Sequence, residues 1–207
     1  YYRWHASNGK GHGIHSPFIY EFVSEILNDQ RLYYPFDAIE NLRLSLAKDK
    51  RKIIVDDYGK PSGTGKDRSV AGIARRSLSS RKFGQLLFRM VNHYRPKTII
   101  ELGTSLGISA AYLASPDPGA RLITLEGAAE IAGIAKENFE KLGLRNIRQV
   151  TGNFDDTLGE VIRSAPPADM IFIDGNHRKK PLMNYFHQFL QKRSRETMFI
   201  LHDTHWS

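Results

Sequence analysis

The sequence predicts an α/β fold with a mainly parallel sheet, helices on both faces of the sheet and a helical cap at the N-terminus. Two observations support this fold class. After residue 96, short apolar runs alternate with stretches of helical periodicity, which is typical of βαβ units. Before residue 80, apolar residues recur mainly at helical spacing. We therefore expect a helical cap over residues 1–80 and a sheet-containing core over residues 81–207.

The cap begins with a helix start signal. Ser16 as N-cap and Pro17 as first helical residue predict a helix in "HSPFIYEFVSEILND". The segment "DAIENLRLSLAKDK" has apolar residues at helical spacing and predicts a second helix. A short apolar run then leads into "GKPSGTGKDRS", whose composition predicts a flexible basic loop near residues 59–68. The segments "SVAGIARRSLSS" and "KFGQLLFRMVNHY" predict two more helices.

The core is predicted to contain five strands separated by four helices. The strands are expected in "KTIIEL", "RLITLE", "IRQVTG", "ADMIFIDG" and "TMFILHD". The helices are expected in "GISAAYLA", "AAEIAGIAKENFEKLG", "DDTLGEVIR" and "PLMNYFHQFLQK", and Gly143 suits a helix C-terminus. Because βαβ crossovers are right-handed, this order predicts a Rossmann-like, doubly wound sheet. Its ligand site should lie beyond the carboxyl ends of the strands.

Composition limits the classes of function. The chain has no cysteine, which excludes disulfides and thiolate metal sites and fits a reducing compartment, so we expect a cytoplasmic protein. No apolar run is long enough to span a membrane. The formal net charge of +8 allows an anionic partner such as nucleic acid. We do not favour that partner, because no basic segment is interleaved with aromatic residues as in RNA-binding motifs.

The first strand of the core ends in an acid and a glycine-bearing turn. Glu101 is followed by Gly103 and Gly107, and the helix that begins there has free N–H groups in its first turn. The G-x-x-x-G spacing differs from the G-x-G-x-x-G of dinucleotide sites. A carboxylate at this point would repel a pyrophosphate. The turn therefore favours a ligand that carries positive charge.

Polar residues also follow the other four strands. Glu126 lies about twenty residues beyond the glycine turn, where an acid can accept hydrogen bonds from both hydroxyls of a ribose. Asn153 and Phe154 follow the third strand and are an amide and an aromatic ring that can flank an adenine. Asp174 follows the fourth strand and Asp203 the fifth. We expect these five strand ends to form one site.

These motifs together resemble the class I S-adenosylmethionine-dependent methyltransferases. The resemblance rests on "IIELGTSLGISAAYLA", "LITLEGAAEIAGIAKENFEKLGL", "VTGNFDDTL", "DMIFIDGNH" and "FILHDTHW", and is strongest to small-molecule O-methyltransferases of the catechol and caffeoyl-coenzyme A type. It implies S-adenosylmethionine as cofactor and methyl transfer to an oxygen or nitrogen of a small-molecule acceptor. The implied cofactor-binding residues are Glu101, Gly103, Thr104, Ser105, Gly107, Ser109, Glu126, Asn153, Phe154 and Asp174.

The same resemblance suggests the catalytic residues. In metal-using relatives, an Asp after the fourth strand and an Asp-Asn pair after the fifth hold a divalent cation. Asp174 and Asp203 match, and Thr204 replaces the Asn, with His202 and His205 as alternative nitrogen ligands. His177 stands where such relatives carry a lysine base and can act as a general base near neutral pH.

Several alternatives remain open at this point. The basic charge allows a methyltransferase that acts on RNA or another anionic polymer, and the fold allows a binding module without catalysis. A homo-oligomer is also compatible with the resemblance. Because relatives have seven strands, the sequence lacks the last two, and we expect the natural protein to continue beyond Ser207.

Overall fold

The computed structural model describes residues 16–55, 66–175 and 179–202. Its centre is a five-stranded parallel sheet in the order β5-β4-β3-β6-β7. The strands are β3 (Thr98–Leu102), β4 (Arg121–Glu126), β5 (Ile147–Thr151), β6 (Ala168–Ile173) and β7 (Arg193–Leu201). The predicted doubly wound sheet is thus confirmed. The order reverses between β3 and β6, where the chain moves from one half of the sheet to the other.

The helices of the core connect these strands. They are α4 (Arg81–Tyr94), α5 (Ile108–Ala114), α6 (Ala129–Lys141), α7 (Phe154–Ser164) and α8 (Lys179–Leu190). Helix α6 ends as its sequence predicts, with Gly143 at a φ of 68° and a hydrogen bond from Leu144 N to Phe139 O. Strand β7 begins at Arg193, four residues earlier than the sequence pattern predicts. The apolar pattern does not mark the first half of this strand, because its residues are polar and exposed.

Apolar side chains fill both faces of the sheet, because successive residues of a strand point to opposite sides. Ile99, Leu122 and Met170 pack with α4, α5 and α6 on one face. Ile100, Ile123 and Ile171 pack with α7 and α8 on the other face. Strand β3 is buried along its whole length. Its side chains and those of its neighbours therefore hold the carboxyl ends of the central strands in a fixed place.

The N-terminal region contains α1 (Pro17–Glu21), a π-helix (Phe22–Leu27), α2 (Phe36–Leu46), β1 (Lys52–Val55), β2 (Lys66–Ser69) and α3 (Val70–Ser77). The helices of the predicted cap are accompanied by a hairpin that the sequence did not predict, because β1 and β2 pair in antiparallel fashion. The predicted loop near residues 59–68 is wrong at its end, since residues 66–68 belong to β2, whereas residues 56–65 lie outside the described residues.

This region packs on the core instead of standing apart from it. Phe36, Ile53 and Ile73 share one apolar cluster with Tyr112 of α5 and Ile131 of α6. Two carboxylates on α6 also hold the hairpin. Glu130 Oε2 accepts a hydrogen bond from Ile54 N at 2.9 Å, and Glu137 pairs with Arg51 at 3.1 Å. A domain boundary at residue 80 stays a prediction.

No helix in the described part of the chain is both long enough and apolar enough to cross a bilayer.

Helix α6 also supports the turn that follows β3. Asn138 is fully buried, and its Nδ2 donates a hydrogen bond to Leu106 O at 2.9 Å. Leu106 lies within the glycine turn, so this bond connects the turn to a helix on the sheet face. Since a buried carbonyl without a partner is costly, Asn138 should matter for stability.

We expect Asn138→Ala to lower the free energy of unfolding by about 1–3 kcal/mol, because it leaves Leu106 O unpaired in a dry place. Urea unfolding of the two proteins measures the difference. Lys136→Ala is the matched control, since Lys136 is exposed on the same helix. Equal losses for both variants would contradict a supporting role for Asn138.

Candidate active site

The candidate site lies at the carboxyl ends of β3 and β6, where the order of the sheet reverses. The ends of these two strands are in direct contact, because Asp174 N donates a hydrogen bond to Leu102 O at 2.8 Å. A Cβ on Gly103 would lie 2.7 Å from Asp174 O, and the φ of Gly103 is 99°. Only glycine fits both the conformation and this close approach. The ends of β3 and β6 are therefore adjacent, and a single site formed by all five strand ends stays a prediction.

The glycine turn, residues 103–107, is attached to the end of β4 through its backbone. Gly103 N and Thr104 N both donate to Leu125 O, at 3.0 and 3.1 Å. Ser105 N donates to Glu126 Oε2 at 2.8 Å. Three successive amides are thus used inside the protein and do not face a ligand. A phosphate-binding loop needs such amides to point outward, so this turn is unsuited to a phosphate.

Left-handed backbone conformations shape the same turn. Ser105 has a φ of 47°, which costs a non-glycine residue about 1–2 kcal/mol, and its hydrogen bond to Glu126 offsets part of that cost. Gly107 has a φ of 86° and is the N-cap of α5. A Cβ on Gly107 would lie 2.6 Å from the ring of Phe139, so this glycine lets α5 and α6 pack closely.

Glu101 is fully buried beneath the turn. Its Oε2 accepts a hydrogen bond from Thr124 Oγ1 at 2.6 Å. Thr124 Oγ1 lies a further 2.6 Å from Thr104 Oγ1. Among the described residues, Oε1 of Glu101 has no hydrogen-bond partner. The Ser109 hydroxyl lowers the pKa of Glu101 and so favours its charged form, although it forms no hydrogen bond to Oε1.

Burial raises the pKa of Glu101 from 4.5 to about 7. The Ser109 and Thr124 hydroxyls lower the pKa, whereas the nearby carboxylates of Asp174 and Glu126 raise it. The loss of hydration is the larger effect, because an ion in a dry interior lacks the solvent that would stabilise it. Glu101 therefore changes its charge near neutral pH.

Glu126 is half-buried at the end of β4. Its Oε2 accepts from Ser105 N, and its Oε1 accepts from Ala128 N at 3.0 Å. Burial raises the pKa of Glu126, and the backbone hydrogen bonds from Ala128 and Ser105 oppose that rise. Each carboxylate oxygen has a second lone pair, so Glu126 can still accept hydrogen bonds from a ligand.

Asn153 and Phe154 begin helix α7 beyond β5. Asn153 Oδ1 accepts from Asp155 N at 3.1 Å, so Asn153 is the N-cap of α7. The Phe154 ring lies so close to Gly175 that a Cβ there would be 2.5 Å from Phe154 Cε2. Phe154 thereby brings an aromatic ring next to the end of β6.

Asp174 lies beside His202 at the end of β6. Asp174 Oδ1 is 2.8 Å from His202 Nδ1, and the His202 ring is 4.9 Å from the ring of Phe83. His177 and Asp203, the other two predicted catalytic residues, lie outside the described residues. Within the described ranges, no three histidine or carboxylate side chains lie together as a metal ion would need.

Sequence reasoning missed Thr124 as a partner of Glu101. The signal for it was a polar residue inside the apolar run "RLITLE", but a threonine in a strand is common for packing reasons alone. The carbonyl of Leu125 was also missed, and no sequence signal points to a backbone acceptor. Thr104 and Ser109 were included, although both of their side chains are buried.

The titration of Glu101 gives a stability prediction. The folded-state pKa is higher than the unfolded one, so the folded protein binds the extra proton between about pH 4.5 and pH 7. The free energy of unfolding therefore falls with rising pH across that window, and the loss is complete above it. Relative to Glu101→Gln, which cannot ionise, the wild type should lose on the order of 3 kcal/mol.

Urea unfolding between pH 4 and pH 8 measures this difference. Glu140→Gln is the control, because Glu140 is exposed on α6 and its curve should stay parallel to that of the wild type. A constant difference between wild type and Glu101→Gln across this range would show that Glu101 does not titrate there.

Comparison with known proteins agrees with this geometry. The family model described as a methyltransferase domain matches residues 100–204, which is 105 of the 207 residues. The catechol O-methyltransferase of Niastella koreensis is 38% identical over 125 residues, which cover 59% of this chain and 54% of the relative. The chain thus spans about half the length of this curated relative.

Solved structures show the same fold. The O-methyltransferase from Bacillus cereus in complex with SAH has a TM-score of 0.60 and 22% identity, and the match covers 89% of this chain and 71% of that one. The O-methyltransferase TomG from Streptomyces achromogenes in complex with SAM has a TM-score of 0.58 and 22% identity, with 82% and 74% covered. By its match to the family model over more than half of its residues, the chain belongs to the methyltransferase domain family.

Proposed function

We propose that the protein transfers a methyl group from S-adenosylmethionine to an oxygen of a small-molecule acceptor. One observation carries the proposal. The carboxyl groups of Glu126 and Asp174 lie at the strand ends, close enough to the buried Glu101 to raise its pKa, beside a turn whose amides are already bonded. Such a site favours a ligand with positive charge and hydrogen-bond donors over a phosphate. Relatives named as catechol O-methyltransferases support the class of acceptor.

The residues present fit this cofactor. Gly103 lets the turn lie directly against the backbone of Asp174, and Glu101 beneath it keeps one buried carboxylate oxygen that has no hydrogen-bond partner among the described residues. Glu126, half-exposed at the end of β4, would accept hydrogen bonds from the ribose. Phe154, with Asn153 before it, would flank the adenine. When bound, S-adenosylmethionine supplies a sulfonium methyl group that is open to in-line displacement.

The chain's own residues would position the acceptor and remove its proton. Asp174 lies at the end of β6, within contact of His202 and close to the glycine turn. His177 is the proposed general base and Asp203 a further acidic group, on the basis of their places in the sequence. Positioning two reactants in this way can supply much of the rate enhancement of such a displacement.

S-adenosylhomocysteine should stabilise the protein. At about one hundred times its dissociation constant, we expect the free energy of unfolding to rise by roughly 2.7 kcal/mol. Glu126→Ala should lower that gain to below about 1.5 kcal/mol, because a carboxylate acceptor is lost. Thermal melts with and without the ligand measure the gain for the wild type and for Glu126→Ala. The ligand-free melts show how far the substitution itself destabilises the turn, apart from ligand binding. Glu140→Ala is the control, and an unchanged gain in Glu126→Ala would contradict the assigned ribose contact.

Methyl transfer itself is tested with a catechol as acceptor. We expect S-adenosylhomocysteine and the methyl ether to form in equal amounts, as measured by liquid chromatography and mass spectrometry. A parallel series with EDTA tests for the divalent cation that Asp174 and Asp203 suggest. Cofactor binding without transfer to catechol or other small phenols and amines would instead favour a binding module.

A further inference from the structure

A chain of three buried polar groups crosses from β3 to β4 beneath the glycine turn. Thr124 Oγ1 donates to Glu101 Oε2 at 2.6 Å, and Thr104 Oγ1 lies 2.6 Å from Thr124 Oγ1. A hydroxyl has one proton to donate. When Glu101 is ionised it can only accept, so Thr124 donates its proton to Glu101 and Thr104 must donate to Thr124. The chain therefore has one direction, from the turn through β4 to the carboxyl group on β3.

None of these three side chains is open to solvent at the strand ends. Glu101, Thr104 and Thr124 are all fully buried, whereas Ser105 and Glu126 next to them are half-exposed. A ligand bound at the strand ends would therefore meet Ser105 and Glu126 and not the three inner groups. Any effect of the inner groups on a ligand must pass through the turn.

If packing were the only requirement, a chain of buried polar groups would be a costly way to meet it. A valine has nearly the shape of a threonine and would need no partner, whereas a threonine hydroxyl in a dry interior needs a hydrogen-bond partner. The arrangement does restrict the turn, because the side chain of Thr104 has one hydrogen-bonded orientation. Gly103 N and Thr104 N donate hydrogen bonds to Leu125 O, and the Thr104 hydroxyl bonds to Thr124. Thr104 is thus held through both its backbone and its side chain.

We propose that Thr124 is a positioning residue, which holds Thr104 and thereby the glycine turn in the conformation that binds the cofactor. Glu101 is the acceptor that orients the Thr124 hydroxyl and acts on the cofactor through the turn. This assignment rests on the proposed function for the identity of the cofactor. The restriction of the turn itself is independent of that function.

The central variants are Thr124→Val, which removes only the hydroxyl, and Thr124→Ser, which keeps it. Isothermal titration with S-adenosylhomocysteine at pH 8 measures affinity, and hydrogen exchange without ligand measures opening of the turn. We expect Thr124→Val to weaken binding about tenfold and to speed exchange of the turn amides by a similar factor. Thr124→Ser should bind within about twofold of the wild type, a rescue that loss of packing alone would not give.

Thr98→Val is the matched control. Thr98 is also buried in the sheet, but it lies at the opposite end of β3 from the turn. We expect its affinity and turn exchange to equal those of the wild type. If Thr124→Val does not fold, Thr104→Val interrupts the same chain of hydrogen bonds from the turn and is measured in its place.

The outcomes separate this inference from the proposed function. A folded Thr124→Val protein with wild-type affinity and wild-type exchange would overturn the positioning role and leave the proposed function intact. A wild-type protein that does not bind S-adenosylhomocysteine would overturn the proposed function. In that case the exchange measurement still decides whether Thr124 restrains the turn.

Discussion

The structure of the site depends on how the glycine turn is attached to the end of β4. Leu125 O accepts two amides of the turn, and Glu126 accepts a third. These bonds place a reversal of the chain directly over the central strands, with Ser105 held in a left-handed conformation. Since these three amides are bonded inside the protein, the attachment also decides the chemistry of the site. It occupies the N–H donors that an anion would need and leaves carboxyl groups at the strand ends.

Burial and charge act together in this arrangement. Glu101 lies on the central strand, where it is dry, and has two other carboxylates near it, so its pKa rises to about 7. Water would remove this effect, and only the apolar packing of α4, α5 and α6 on that face keeps water away. The packing of the core thus determines the ionisation of a group in the site. Asn138 contributes to the same packing, since it connects the turn to α6.

The sequence predicts the fold well because its signals are local and repeated. Alternating apolar strands and amphipathic helices determine a doubly wound sheet, and a strand-end glycine indicates where the backbone must turn. The hairpin β1–β2 was not predicted, because β2 is the charged segment "KDRS" and its pairing with β1 is a tertiary effect. In the site, Glu101, Glu126 and Asp174 could be named from their places after strands. The hydrogen-bond partners of Glu101 and of the glycine turn could not, since Thr124 and Leu125 lie on the neighbouring strand and Leu125 acts only through its backbone carbonyl.

The charge of the whole chain is opposite in sign to that of its candidate site. The sequence has a formal net charge of +8, whereas the carboxyl groups of Glu126 and Asp174 lie at the strand ends, with Glu101 buried beneath the turn. At distances up to the screening length of about 10 Å, the net positive charge attracts small anions to the surface in general. Within a few ångströms of the turn, the local carboxyl groups dominate and favour cations. The net charge therefore attracts anions to the surface as a whole, whereas the carboxyl groups at the strand ends favour cations, and added salt weakens the first effect more than the second.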